Sequence, residues 1–234
     1  MKGMIIPNHV AVILDGNRRW AIKNNLSPWE GHSYGARKFE KFMEWCVELK
    51  IPRISAYVLS TENLNRPEKE VKEIFKLFKE ELEKLENEKS SFLDKYEIRM
   101  KFVGDLTKMP LGLRKVMGRI MKKTEKYNKR VFNLLVAYGG KFELTQAFKK
   151  LAKKAIEKGA LTITQKDIEK NLLISDNVDL VIRTGGEHRL SNFLPWQTSY
   201  AELIVLNKFW PDFTKRDLIQ CLQKYSERQR RFGY

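Results

Sequence analysis

The sequence predicts an α/β protein: one domain, residues 1–234, with about six mostly parallel strands flanked by helices. Short β-branched apolar runs alternate along the chain with longer stretches of helical period. That alternation implies crossover connections and a mainly parallel sheet covered on both faces. No internal repeat, low-complexity segment or linker divides the chain.

His9–Leu14 (HVAVIL) is the first strand and ends at Asp15-Gly16-Asn17. Gly35–Lys50 places Phe39, Phe42, Met43 and Val47 on one helical face. Arg53–Ser60 (RISAYVLS) is the second strand. The helix over Glu68–Lys89 follows, with Pro67 where helices favour their start and a broad stripe of Val71, Ile74, Phe75, Leu77, Phe78, Leu82 and Leu85. Glu97–Gly104, Val131–Tyr138, Asp179–Arg183 and Glu202–Asn207 read as strands. Leu111–Asn128, Phe142–Lys158, Gln165–Asn171 and Lys215–Arg231 read as helices.

The chain has 234 residues, 42% of them hydrophobic, which suffices for a substantial core. A formal net charge of +16 favours an anionic partner, although much of it also fits a solvated Lys/Glu surface. The lysines are dispersed among glutamates instead of concentrated on one platform, which argues against nucleic-acid binding. Cys46 and Cys221 stand in helical patterns without a CxxC, so buried free thiols are expected and no zinc site. MKGMIIPNHV is too short and polar for a signal peptide, and no run reaches the length of a membrane span. The expected location is the cytoplasm, with peripheral contact at a membrane left open.

Ligands of such sheets bind beyond the carboxyl ends of the strands, and the chemically unusual residues collect there. The first strand runs into Asp15, Gly16, Asn17, Arg18, Arg19 and Trp20; the second into Ser60-Thr61-Glu62-Asn63-Leu64-Asn65-Arg66. The fifth runs into Arg183-Thr184-Gly185-Gly186-Glu187-His188-Arg189-Leu190-Ser191. Gly16 permits a sharp turn, and Arg18 and Arg19 are suited to phosphate oxygens. Asp15 among these cations is either a helix cap paired with arginine or a ligand for Mg²⁺, which takes one or two carboxylates plus substrate phosphates. Arg183, Arg189 and the Ser191 hydroxyl form a second anion clamp, while His188 reads as a capped loop residue. P-loop, dinucleotide, nucleophile-elbow and DDxxD signatures are absent.

HVAVILDGNRRW, GHSYGARK, STENLNRP, VDLVIRTGGEHRLSNFLPWQTSYAEL, FWPDF and RQRRFG, in that order from residue 9 to residue 233, together resemble the undecaprenyl diphosphate synthase (cis-prenyltransferase) family. The resemblance implies a homodimeric enzyme that joins isopentenyl diphosphate to an allylic prenyl diphosphate with Mg²⁺. By motif, Asp15 is similar to the metal-associated aspartate and Glu202 to a second metal carboxylate. Gly16, Asn17, Arg18, Arg19, Trp20, Ser60 and Arg66 resemble the allylic site, with Asn63 and His32 close to the reacting centre. Arg183, Arg189 and Ser191 resemble the isopentenyl diphosphate site, and Arg231 and Gly233 a tail that reaches the partner subunit. The helix stripe, ordinarily plain core, becomes a candidate tunnel wall with Val58, Ile74, Leu77 and Phe78. Pro28 and Leu64 replace an arginine and a tryptophan often found in bacterial members, and STEN with the Lys-rich composition looks archaeal. The starter and the product length stay open.

Overall fold

The computed structural model describes residues 4–87, 92–159 and 162–228. Six strands form one all-parallel sheet: β1 His9–Ile13, β2 Arg53–Ser60, β3 Ile98–Val103, β4 Arg130–Tyr138, β5 Leu180–Arg183 and β6 Glu202–Val205. Their order is β3-β4-β2-β1-β5-β6. The chain leaves β1 for β2 on one side and returns as β5 on the other, which makes the carboxyl end of β1 a topological switch point.

The helices are α1 Asn17–Lys23, α2 Gly31–Glu48, α3 Glu68–Asn87, α4 Phe92–Lys95, α5 Leu111–Thr124, α6 Gly140–Lys158, α7 Gln165–Asn171 and α8 Lys215–Glu227. The strands lie within one or two residues of the sequence expectation. A helix start beside Asp15 was one reading, but no helix was delimited there, because seven residues opening on Asn-Arg-Arg carry too little apolar period. Helix α2 begins four residues earlier than expected, since glycines weaken a helical reading. Those glycines let α1 and α2 touch: a Cβ on Gly31 would stand 2.1 Å from the Asn17 carbonyl oxygen. One on Gly35 would stand 2.4 Å from Asn17 Oδ1.

One face of the sheet carries the larger core, in which Val10, Val12, Ile54, Ala56, Met100, Phe132, Leu134 and Ile182 meet Phe42, Leu113, Met117, Trp210 and Leu218. The other carries a smaller cluster around Tyr57, Leu135, Tyr138, Val181, Phe193 and Leu194. The register between β2 and β4 slips between Tyr57 and Leu59, so Val58 and Leu59 both pack on the larger-core side. A bulge of this kind re-aims side chains, and here it turns an extra apolar residue towards the site described below. Cys46 and Cys221 are buried free thiols, as expected.

At the amino end of the sheet, His9 Nε2 lies 2.8 Å from Ser55 Oγ, which also accepts from Asn133 Nδ2 at 3.0 Å. Burial, with the Arg53 charge adding to it, holds the His9 imidazole down to about 4. The unfolded chain therefore takes this proton near pH 6.5 while the folded chain resists it until about 4. Stability from His9, at most about 3 kcal/mol, is present above pH 6.5 and lost as pH falls through that window. Denaturant titrations between pH 7 and 4 should show His9→Gln flattening the acid loss by close to one proton. An unchanged slope would contradict the buried neutral imidazole.

Candidate active site

At the switch point, Asp15 is held through its backbone. Its N–H donates to Ile13 O at 2.9 Å, and its carbonyl accepts from Thr184 Oγ1 at 2.7 Å and Trp210 N at 3.0 Å. The carboxylate therefore stands in a set position above β1, where Arg183 Nη2 donates to Oδ2 at 2.8 Å and Arg19 Nη2 to Oδ1 at 3.1 Å. Asp15 does not cap α1, since Gly16 precedes the helix and no side-chain cap bond forms. The arginine pairing that accompanied the cap reading is present.

Arg183 is almost fully buried, with 4% of its side chain exposed. Its Nη1 donates to Ser191 Oγ at 2.9 Å and to the Arg189 carbonyl. The loop thus brings the Arg183 side chain against Ser191 and the Arg189 backbone, while the Arg189 guanidinium pairs with Glu187 at 2.5 Å. Ser191, Asn192 and Leu194 all have positive φ, so this loop is held against local preference. Asn192 helps to hold it, donating to Glu62 Oε1 at 3.0 Å and accepting from Lys141 N at 2.9 Å.

On the opposite side of Asp15, Arg18, His32 and Arg66 converge on a residue the sequence reading passed over. Glu70 Oε1 lies 3.2 Å from Arg66 Nη1, 3.6 Å from Arg18 Nε and 3.6 Å from His32 Nε2, with 5% of the Glu70 side chain exposed. Burial first, then the Arg66 charge, holds His32 down to about 4 against the opposing pull of Glu70. His32 is therefore a neutral imidazole at ordinary pH. The signal that could have found Glu70 was its spacing: four residues before Ile74 and four after Arg66, it falls on the apolar stripe of α3.

Asp15, Arg18, His32, Arg66 and Arg183 stand at the mouth of a cavity of about 1200 Å³, above the ~300–1,000 Å³ of ordinary small-molecule sites. The mouth is lined by Asp15, Gly16, Asn17, Arg18, Arg19, His32, Ser60, Asn63, Arg66, Arg183, Arg189 and Ser191. The cavity continues inward between α2 and α3 along Phe39, Met43, Val58, Ile74, Leu77, Phe78, Leu82, Leu85, Met100 and Leu134. Glu40 and Glu81 are the acidic exceptions on that inner wall, Glu81 being paired with Lys84 at 2.7 Å.

Two expected site residues stand elsewhere. Trp20 does not line the cavity: its ring lies 4.6 Å from that of Tyr34 and its Nε1 donates to Asp212 Oδ1 at 2.7 Å. That position suits an amphipathic ring that ties α1 to the segment after β6. Glu202 opens β6 and aligns through Leu180 with Val10, five residues before Asp15, or roughly 15 Å along the strand. Its carboxylate pairs with Arg228, so within one chain it does not meet Asp15. Arg231 and Gly233 lie outside the described residues.

Among the described residues no group of three or more His, Cys, Asp or Glu side chains could cage a metal ion. The donor set fits a hard cation held by the Asp15 carboxylate and completed by a ligand's phosphate oxygens and water.

Comparison with known proteins covers nearly the whole chain. Residues 13–233 match the family model described as "Putative undecaprenyl diphosphate synthase". The chain is 40% identical over 233 residues, 97% of its length and 85% of the relative's, to the tritrans,polycis-undecaprenyl-diphosphate synthase (geranylgeranyl-diphosphate specific) of Methanopyrus kandleri. It is 38% identical to the isoprenyl transferase of Chlamydia pneumoniae, over 97% of this chain and 93% of that one. Its fold is similar to the lavandulyl diphosphate synthase of Lavandula x intermedia, solved in complex with dimethylallyl diphosphate. The TM-score is 0.89 at 31% identity, covering 97% of this chain and 98% of the other.

Gly185 tests the geometry without chemistry. Its φ is +90°, and an added Cβ would stand 2.6 Å from Arg19 Nη2 and 3.0 Å from Asp15 Cγ. Gly185→Ala should cost on the order of 1–3 kcal/mol. Gly118→Ala on α5, with nothing within 4 Å of the new Cβ, should be neutral or stabilising by up to ~1 kcal/mol. Chemical denaturation of both variants checks the contrast.

Proposed function

The chain belongs to the undecaprenyl diphosphate synthase family and is a prenyltransferase, and from that premise we propose a specific reaction. It condenses isopentenyl diphosphate with an allylic prenyl diphosphate, in repeated Z additions, to make a long polyprenyl diphosphate. The observation that carries this reading is one cavity with two arginine-bearing anion cradles at its mouth and an apolar interior. A soluble anion alone would not need the interior, and a plain lipid pocket would not need the mouth.

Arg18 and Arg66 hold the allylic diphosphate and offset the charge that builds on it as the C1–O bond breaks. Arg183, Arg189 and Ser191 hold the diphosphate of the isopentenyl unit, so that its double bond lies against C1. Proximity of the two then supplies much of the rate. The new carbon–carbon bond forms at C1 as the C1–O bond breaks and diphosphate leaves, and the C2 proton of the isopentenyl unit passes to a diphosphate oxygen. His32, neutral, serves as a hydrogen-bonding wall and not as a third cation, and Asn63 lines the cavity beside Ser60. Asp15 is the ligand proposed for Mg²⁺, which when bound screens the diphosphate and makes it a better leaving group.

The archaeal relative's name specifies geranylgeranyl diphosphate, and its similarity over 97% of the chain supports that starter here. A homodimer is proposed with it, as the resemblance to the family implies. The whole chain, residues 1–234, is proposed as one catalytic domain, acting in the cytoplasm with its lipid product handed to a membrane. Among the described residues no helix is long and apolar enough to cross a membrane.

Purified protein with labelled isopentenyl diphosphate and geranylgeranyl diphosphate should give Z-polyprenyl products with Mg²⁺ and none with chelator. Asp15→Ala should lower kcat by about 10²–10³. No elongation from geranylgeranyl or farnesyl diphosphate by a folded protein would contradict the reaction. Phe78, whose ring meets Phe102 at 6.2 Å on the inner wall, bounds the space for the growing chain. Phe78→Ala should move the products to greater length by chromatography, and an unchanged distribution would remove α3 from chain-length control.

A further inference from the structure

Glu70 has no part in the reaction as just described, yet it is buried and faces three cavity-lining side chains near the mouth. One oxygen, Oε1, faces Arg66 at 3.2 Å, Arg18 at 3.6 Å and His32 at 3.6 Å. The three come from different places: Arg18 from α1, His32 from the first turn of α2, and Arg66 from the residue before Pro67 at the entry to α3. All three line the cavity and Glu70 does not, so it stands behind them as seen from a ligand. The side chains of Arg18 and Arg66 are 47% and 25% exposed, against 5% for Glu70.

We propose that Glu70 is the positioning residue of the allylic cradle: a buried carboxylate that aims Arg18 and Arg66 and anchors the first turn of α3 to them. This rests on reading the cavity as a prenyl diphosphate site. Each arginine carries five N–H donors, so a single contact to Glu70 fixes its direction and leaves the rest for phosphate. Without the carboxylate, two neighbouring guanidinium groups repel one another and both regain the freedom of long side chains. A diphosphate must then order them again as it binds. Helix α3 carries Ile74, Leu77 and Phe78 one to two turns beyond Glu70, so the same anchor sets the tunnel wall in register with the cradle.

The alternative is that Glu70 merely competes with the ligand as a resident anion. The two accounts differ in sign. Positioning requires Glu70→Ala and Glu70→Gln to weaken the allylic substrate, whereas competition requires both to tighten it. Glu70→Gln keeps the shape and one acceptor oxygen, so it remains informative if Glu70→Ala fails to fold by circular dichroism.

The test is calorimetric binding of the unreactive thiolodiphosphate analogue of geranylgeranyl diphosphate, together with KM for both substrates. For Glu70→Gln the expected result is about ten- to hundredfold weaker analogue binding and a matching rise in the allylic KM. The KM for isopentenyl diphosphate should move by less than about threefold, a split that general destabilisation would not produce. Unchanged or tighter analogue binding, or equal rises in both KM values, overturns the proposal while leaving the reaction intact. Failure of the unsubstituted protein to bind the analogue at all overturns the reaction and the proposal together.

Discussion

Arg183 brings a full positive charge to the carboxyl end of a four-residue strand with 4% of its side chain exposed. A charge so placed is tolerated only when anions and acceptors surround it. Asp15 supplies the anion from across the switch point, and Ser191 and the Arg189 carbonyl supply the acceptors. Much of the site's order follows from that requirement. The loop after β1 and the loop after β5 are tied at one point, and Gly185 is left with no room for a side chain. The strained turn at Ser191 and Asn192 is held by the same contacts and by Glu62.

Around that tie the cavity divides its chemistry by depth. Cationic groups stand where the strands end, while the interior between α2 and α3 is lined mainly by Phe, Leu, Ile and Met side chains. Burying apolar carbon is worth about 0.8 kcal/mol per methylene, so each isoprene unit added to a chain in this interior strengthens its hold. On the proposed reaction, elongation and tight product retention share that physical source, and slow release of a long chain is expected by the same token. The bulge in β2 contributes to this interior by turning both Val58 and Leu59 towards it.

Much of this was legible in the sequence because it depends on local pattern. The strands declared themselves through β-branched runs, and the arginines that line the cavity through their place at strand ends. What stayed hidden depends on contacts between elements. Helix α1 is too short to show a period, and Gly31 and Gly35 read as breakers until α1 is packed against them. Glu70 was hidden by its surroundings, one glutamate among several in a Lys/Glu-rich helix, although it falls on the apolar stripe. Trp20 and Glu202 were placed in the site by motif. The fold turns the first towards Tyr34 and puts the second at the amino end of the sheet. Charge pattern alone does not distinguish a solvated carboxylate from a buried one.

On the proposed reaction, one cavity holds two diphosphates side by side with a prenyl tail between α2 and α3. A crystal structure with Mg²⁺, isopentenyl diphosphate and an unreactive allylic thiolodiphosphate tests it most directly. The expected structure has the allylic diphosphate at Arg18 and Arg66, the other at Arg183, Arg189 and Ser191, and the tail running inward past Phe78 towards Met100. Both diphosphates in one cradle, or a tail lying outside the α2–α3 cleft, would contradict it.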